Sequence, residues 1–305
     1  MAGGQERILR RRIKSVQSTK KITRAMELIA ASRIVKAQAR VVAAQPYADG
    51  ITGVVRDLAA AGAGSSSPLL AVRDSVSTVA HIAIAADRGL CGGYNSTVVR
   101  TTEVEMRAAS AAGQRNALVT SGRKPESYFR FREIPMDGSF AGYSDAPTYE
   151  NARDIAAVVS RRFLDGDIDK VQLIYTKFLS AGRQEVVIEQ LMPLDTSELA
   201  SGAKQQADYE FEPNPDTILD ALLPRYAEAK IYAALLNAAA SEHAFRQRAM
   251  KAATDNADEL IRTLSRIMNR ARQDSITTEI MEIVGGAAAM ADGAGSDDDD
   301  FLPAH

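Results

Sequence analysis

Residues 218–285 read ILDALLPRYAEAKIYAALLNAAASEHAFRQRAMKAATDNADELIRTLSRIMNRARQDSITTEIMEIVG, and this stretch decides the fold. Apolar residues recur in it at alternating steps of four and three positions, which is the heptad pattern of a helix supercoiled with a partner. Fourteen of the twenty positions on this predicted seam are apolar. Such a helix spans about 100 Å, because each residue adds about 1.5 Å. The stretch therefore predicts a helical rod.

The second half of the predicted seam consists of Met250, Ala253, Ala257, Leu260, Leu264, Ile267, Ala271, Asp274, Thr278, Met281 and Gly285. Four charged or histidine residues interrupt the whole seam, namely Arg225, His243, Arg246 and Asp274. Polar residues at such positions usually set the register of a coiled coil or lie where the seam is open.

A second long helix is predicted at the start of the chain, over residues 1–58. Ile8, Ile22 and Ile29 are separated by multiples of seven, and a wider apolar stripe accompanies them at Leu9, Ile13, Val16, Met26 and Ile34. The two helices lie at opposite ends of the sequence, so the simplest pairing is an antiparallel coiled coil. The first helix is shorter, and part of the last one should extend without a partner.

Between the two helices the hydrophobic period changes to that of an α/β domain. Strands are predicted at residues 76–86, 116–121, 170–178 and 185–194, with a weaker strand leading to Pro135; helices are predicted at 96–112, 124–131 and 149–164. Strands that alternate with helices indicate an open, mostly parallel sheet. Residues 180–183 (SAGR) predict a hairpin at one edge of it.

The fold class is therefore α/β plus a long antiparallel coiled coil. We divide the chain into an N-terminal coiled-coil helix (1–58), a linker (59–75), a Rossmann-like α/β domain (76–195), a connector or foot (196–217), a C-terminal coiled-coil helix (218–287) and an acidic disordered tail (288–305).

Composition excludes several classes of protein. The chain has 305 residues and a formal net charge of −2, which predicts no nucleic-acid partner, although residues 1–45 carry eleven Lys or Arg against two Glu. One cysteine excludes an internal disulfide. No apolar run is long enough to span a membrane, and we interpret the arginine-rich start as part of the mature protein rather than a targeting peptide.

No active-site signature is present. Residues 89–93 (GLCGG) follow a predicted strand, but they match neither G-x-G-x-x-G nor the P-loop, and a tight turn explains them best. Three scattered histidines lack metal-ligand spacing. An enzyme that uses Cys91 as a nucleophile remains one alternative, and a structural coiled-coil adaptor is the other. We predict no cofactor, no metal and no catalytic residue.

Several stretches resemble the gamma subunit of F-type ATP synthases. They are ILRRRIKSVQSTKKITRAMELIAASR (8–33), ADRGLCGGYN (86–95), LLPRYAEAKIYAALLNAAASEHA (222–244), MKAATDNA (250–257) and NRARQDSITTEIMEIVGGAAA (269–289). The last fits the family pattern I-T-x-E-x-x-E-x-x-x-G-A. Ala86 departs from the usual serine, and the acidic tail departs from the usual ending near Ala289.

The resemblance implies a rotating central shaft of a proton-translocating ATP synthase of the bacterial type. Its implied partners are the alpha/beta hexamer of catalytic and non-catalytic subunits, the epsilon subunit and the membrane c-ring, with one copy per complex. It further implies a non-catalytic subunit without a nucleotide site, placed peripherally at the cytoplasmic face of the plasma membrane.

The resemblance also implies three groups of contact residues. The group that touches an acidic loop of a catalytic subunit is Arg272, Gln273, Lys20, Lys21, Arg24 and Met26, the last four being expected opposite the first two at the same level. The group in the bearing tip is Ile276, Thr277, Glu279, Ile280 and Val284. The group in the foot on the rotor ring is Tyr209, Phe211 and Glu212, within YEFEPNP (209–215).

Overall fold

A computed structural model describes residues 2–60, 73, 75–193, 212 and 214–293 of the chain; side chains are described from residue 4 to residue 58 of the first helix and up to residue 290 of the last. The helices are α1 (Ala2–Ala60), α2 (Tyr94–Ala111), α3 (Arg123–Phe131), α4 (Tyr149–Leu164) and α5 (Pro215–Gly293). The strands are β1 (Thr78–Ile84), β2 (Arg115–Ser121), β3 (Gly138–Phe140), β4 (Lys170–Phe178) and β5 (Gln184–Met192).

The five strands form one sheet in the order β3-β2-β1-β4-β5. β1 pairs in parallel with β2 and β4, and β2 pairs in parallel with β3. Only the β4–β5 hairpin is antiparallel, and it lies at one edge. The predicted open, mostly parallel sheet with an edge hairpin is confirmed.

The sheet is covered on both faces, so its central strand is buried along its whole length, as expected of parallel sheets. On one face Ala80, Ile82 and Ile84 join the largest core cluster. That cluster also receives side chains from α4, from the end of α1 (Ile51, Val55, Leu58) and from the start of α5 (Leu219, Leu223, Ile231). On the other face Ala83 packs with residues of α2 and α3.

Two sequence-based predictions need correction. The strand expected to lead to Pro135 is wrong, since residues 132–136 are turn and irregular chain, and the third strand lies at Gly138–Phe140. Ile134 and Met136 are apolar because they pack against the cluster around Phe129. At the C-terminal end, the predicted tail begins too early, because residues 288–293 continue α5 as helix.

The chain divides into two compact units, the first formed by Met1–Ala25 with Lys251–His305 and the second by Met26–Met250. In the first unit α1 and α5 run antiparallel, because Lys20 contacts Asp258 while the later Thr23 contacts the earlier Thr254, with 2.8 Å between the two hydroxyl oxygens. Side chains 276–290 of α5 are all exposed. The predicted pairing and the predicted unpaired end are both found in this unit.

Within this unit, every second position of the predicted α5 seam points inward as expected. At each of the other positions, the inward residue is the next one along the chain. Leu260 and Ile267 are each 46% exposed, and Asp274 is exposed. The inward positions are Thr254, Ala257, Ile261, Leu264, Met268, Ala271 and Ser275. Leu260 and Ile267 stand directly before inward apolar residues, so two apolar columns lie side by side and the pattern alone cannot choose between them.

The same error affects α1. Ile8, Ile22 and Ile29 were assigned to the apolar stripe, but all three are more than half exposed. The inward heptad positions of the helix are Glu6, Leu9, Ile13, Val16, Lys20, Thr23, Glu27, Ala30, Ile34, Ala37, Val41, Ala44, Ala48, Ile51, Val55 and Leu58. Polar residues occupy four of them, so the apolar pattern alone favours the outer face.

Candidate partner-binding surfaces

The tip segment, residues 276–290, presents a continuous apolar surface. Ile276, Ile280 and Val284 are exposed, as are Met281, Ile283 and Met290 beside them. Glu279 and Glu282 are its only charged residues. The hydroxyl of Thr277 donates to the carbonyl oxygen of Gln273, at 3.0 Å, and so adds no free polar group. A surface of this composition suits an apolar partner with few ionic contacts.

Arg272 and Gln273 are exposed on α5 just before the tip segment. In the first unit, the structure does not place Lys20, Lys21 and Arg24 of the predicted group at their level. In the first unit Lys20 lies opposite Asp258, and the antiparallel register therefore puts Arg272 opposite the region of Glu6. Lys20 and Arg272 are about 21 Å apart along the helix axis, at 1.5 Å per residue. The expectation of one shared level is wrong for this pair.

Lys20 also differs from its neighbours in orientation. Its side chain points inward and forms an ion pair with Asp258, whereas Lys21 and Arg24 are exposed. The sequence did not distinguish the three, because all are basic and adjacent. Lys21 and Arg24 are the residues of this group that present charge to solvent.

Met26 belongs to the second unit and is half-buried at the rim of a cleft of about 400 Å³. The cleft is lined by Met26, Ile29, Ala30, Arg33, Arg88, Gly89, Leu90, Asp145, His243 and Arg246. Three arginines line it; Arg33 is paired with Asp145 and Arg246 with the buried Glu242, which leaves the charge of Arg88 in excess. The positive excess, next to apolar side chains, suits an acidic partner with apolar residues.

The outer face of α1 in the second unit carries a further apolar surface, which we call the outer stripe: Leu28, Ile29, Val35 and Val42. These side chains are 56%, 54%, 68% and 61% exposed. Residues 28–48 contain no acidic residue but three basic ones, at Arg33, Lys36 and Arg40. The stripe lies on the side of the helix opposite the inward heptad positions, where coiled coils are normally polar, so it indicates a partner outside this chain.

Asp87 organises the turn between β1 and α2. Its carboxylate accepts hydrogen bonds from the backbone N–H groups of Gly142 and Ser144, each at 2.9 Å, and of Arg123 at 3.0 Å. Burial alone would raise the pKa of Asp87, but these backbone donors outweigh it and lower the pKa. The turn is thereby tied to the start of α3 and to the loop before α4.

Cys91 lies inside this turn and is 1% exposed. The side-chain amide of Asn95 donates to its sulfur at 3.1 Å. Burial raises the pKa of the thiol, which leaves the less reactive protonated form dominant at neutral pH. These properties are those of a structural cysteine rather than a nucleophile.

Two residues of the predicted foot, Tyr209 and Phe211, lie outside the described residues, and Glu212 is exposed in a bend. Among the described residues no three potential metal ligands come together. Within the same residues, no helix is both long and apolar enough to cross a bilayer.

Comparison with known proteins identifies the family. The family model described as ATP synthase matches residues 5–290. The ATP synthase gamma chain of Frankia casuarinae is 48% identical over 297 residues, covering 95% of this chain and 99% of the relative. That of Streptomyces coelicolor is 47% identical over 306 residues, covering 97% and 99%. The chain belongs to the ATP synthase gamma chain family.

Solved structures with a similar fold are also found. A chain of the Tetrahymena thermophila mitochondrial ATP synthase, from a structure of the central stalk and c-ring, is 26% identical and superposes with a TM-score of 0.56. The match covers 76% of this chain and 99% of that one. A chain of the Euglena gracilis mitochondrial ATP synthase is 17% identical with a TM-score of 0.68, covers 98% of this chain and 100% of its own, and supports the fold alone.

Sequence reasoning missed several residues that shape these surfaces in the gamma chain fold. Leu28, Val35 and Val42 were not singled out, although their spacing of seven and the lack of nearby acidic residues could have revealed them. Asp145, which faces Arg33 and Arg246 in the cleft, gave no signal, because its partners lie far away in the sequence.

Proposed function

We propose that this chain is the rotating central shaft of a proton-translocating F-type ATP synthase. In this role it couples rotation of a membrane rotor ring to the conformational cycle of catalytic sites on partner subunits, during ATP synthesis and in reverse during hydrolysis. One observation carries the proposal within the family: the tip segment of α5 is a helix whose apolar side chains all face outward. An apolar bearing surface with few ionic contacts permits rotation inside a ring.

The physical basis of the coupling is asymmetry. A single helical shaft inside a ring of alternating alpha and beta subunits presents a different face to each of three catalytic sites. A partner can shift a conformational equilibrium only through a difference in contact free energy between states. Because the faces of the shaft differ, the three sites are held in different states, and rotation passes each site through all of them.

We assign the contacts to separate surfaces, two in the first unit and one in the second. Arg272 and Gln273 contact an acidic loop of a catalytic subunit near the tip segment. Lys21 and Arg24 act at a second level of the same unit, where Lys20 points inward to Asp258. Met26, the arginine-rich cleft and the outer stripe form a third surface, whose positive charge and apolar side chains match an acidic loop on a partner subunit.

The remaining partners follow from the same role. Tyr209, Phe211 and Glu212 would form the foot on the c-ring, and an epsilon subunit would be a further partner. The chain would be present once per complex, would have no nucleotide site of its own, and would lie peripherally at the cytoplasmic face of the plasma membrane. Catalysis would take place entirely on partner subunits.

An affinity purification tests the proposal. The tagged chain is isolated from its own cell membranes, the co-purifying proteins are identified, and the Mg-ATPase activity of the sample is measured. We expect one copy of the chain beside an alpha/beta hexamer with an associated rotor ring. Recovery of the chain alone, or with unrelated proteins and no ATPase activity, would instead support the structural coiled-coil adaptor.

A further inference from the structure

A short segment before and at the start of α4, residues 145–149, contacts both long helices of the second unit, and we call it the wedge. Its first residue, Asp145, forms an ion pair with Arg33 of α1 and lies 4.0 Å from the guanidinium of Arg246 of α5. Ala146 and Pro147 line a smaller cleft together with Ala37 of α1 and Ala239 of α5.

Tyr149, the last residue of the wedge, likewise contacts both α1 and α5. Its ring packs edge-on against Tyr47 of α1, with 6.4 Å between ring centroids, and against Tyr232 of α5, at 5.7 Å. The Tyr149 hydroxyl donates to a carboxylate oxygen of Glu228 on α5, at 2.7 Å. Asp145 and Tyr149 thus each touch both helices.

The wedge is firmly attached to the sheet. The loop before it is fixed by Asp87, which accepts from the N–H groups of Gly142 and Ser144. At its C-terminal end, Thr148 forms a capping box with Asn151 at the start of α4, a helix whose Ala152 and Ile155 are buried in the main core. The backbone on either side of the wedge is therefore held by the α/β domain.

We propose that the wedge is the torque joint of the second unit: Asp145 and Tyr149 fix the angle at which the α/β domain grips α1 and α5. The inference rests on the proposed rotary function. Burial of apolar surface also joins domain and helices, but it is non-directional, so it resists separation better than rotation. Hydrogen bonds and ion pairs depend on angle, and contacts to both helices prevent either one from turning alone.

The test uses the assembled complex in inverted membrane vesicles, where ATP hydrolysis and ATP-driven proton uptake are measured in parallel. The test variant is Asp145→Asn with Tyr149→Phe, which removes the ion pair and the hydroxyl while preserving shape. We expect the number of protons moved per ATP hydrolysed to fall about twofold or more, with both rates normalised to the amount of assembled complex.

The matched control is Asp137→Asn with Tyr128→Phe. It makes the same chemical changes at an ion pair with Arg162 and a hydrogen bond to Glu103, both inside the α/β domain. We expect this control to keep the wild-type ratio, and Asp145→Glu, which retains the carboxylate, to restore most of it. An unchanged ratio in the test variant, or an equal fall in the control, would overturn the torque joint.

Failure of the underlying function gives a different result. If the chain were not a rotary shaft, the wild-type chain would be absent from the ATPase, or proton uptake would not depend on it. If instead the variant complex assembles and pumps protons, and its ratio of protons to ATP is unchanged, only the torque-joint proposal is overturned.

Discussion

Glu242 and Arg246 form a buried ion pair one turn apart on α5. The Arg246 guanidinium donates to Oε1 of Glu242 and also to the carbonyl oxygen of Gly89, at 3.3 Å. Burial raises the pKa of Glu242 even though Arg246 opposes the shift. The pair therefore carries a desolvation cost that its mutual attraction only partly offsets.

We expect Glu242→Ala to lower the free energy of unfolding by about 3–5 kcal/mol, since it leaves the Arg246 charge buried without its main partner. Replacing both residues together, as Glu242→Met with Arg246→Leu, should cost much less than the single change. Urea denaturation followed by circular dichroism measures both. A double variant as unstable as the single one would show that the pair itself stabilises the fold.

Gly122 is required by close approach as well as by conformation. Its φ is +110°, and a Cβ at this position would lie 2.3 Å from the carbonyl oxygen of Ala85. We expect Gly122→Ala to prevent stable folding or to cost more than about 3 kcal/mol. Soluble yield and the urea midpoint report the effect.

Gly113 provides the matched control for Gly122. It also has a positive φ, of +78°, but nothing lies within 4 Å of the point that a Cβ would occupy there. Gly113→Ala should therefore cost only the backbone strain, about 1–2 kcal/mol. Equal losses in the two variants would contradict the role assigned to the Ala85 contact.

Asp87 should make the stability of the α/β domain sensitive to acid. Its pKa is lowered below the usual 3.8, so its contribution is fully present above that value and is lost as the pH falls through the lower pKa of the folded state. We expect Asp87→Asn to lose about 2 kcal/mol at pH 7, because hydrogen bonds to a charged group are removed.

The variant should also show a smaller difference in unfolding free energy between pH 7 and pH 3 than the wild type does. Urea titrations at the two pH values measure this difference. Asp165→Asn serves as the control, because Asp165 lies at the end of α4, away from the turn that Asp87 organises. This variant should behave as the wild type. An identical pH dependence in Asp87→Asn would remove the carboxylate from this role.

The elements of this fold could be predicted from the sequence because each has a strong local period. The residues of β4 and α4 were predicted at their observed bounds, since flanking turns and alternating or helical apolar patterns agree there. The sequence could not show which face of each long helix forms the inner seam. Leu260 beside Ile261, and Ile8 beside Leu9, offer two adjacent apolar columns, and only tertiary packing selects the inner one.

The candidate surfaces were predictable to a lesser degree. Exposure of the tip segment followed from the unequal helix lengths. The orientation of Lys20 did not, because its ion pair with Asp258 depends on the register of two segments more than two hundred residues apart. Asp145 could not be predicted for the same reason. A single aspartate in a loop has no periodic or motif signal, and its importance comes from its contacts with α1 and α5.

Arg272 and Gln273 provide the sharpest test of a proposed partner contact. Both are exposed, so we expect the double change Arg272→Ala with Gln273→Ala to alter the free energy of unfolding by no more than about 0.5 kcal/mol. In assembled enzyme the same variant should lower coupled ATP turnover, because a charged donor facing an acidic loop is lost. Lys251→Ala, an exposed charge at the other end of the same unit, should leave turnover unchanged. The rate of ATP synthesis in energised vesicles measures this loss of turnover. Wild-type rates in the double variant would exclude both residues from the torque-bearing contacts.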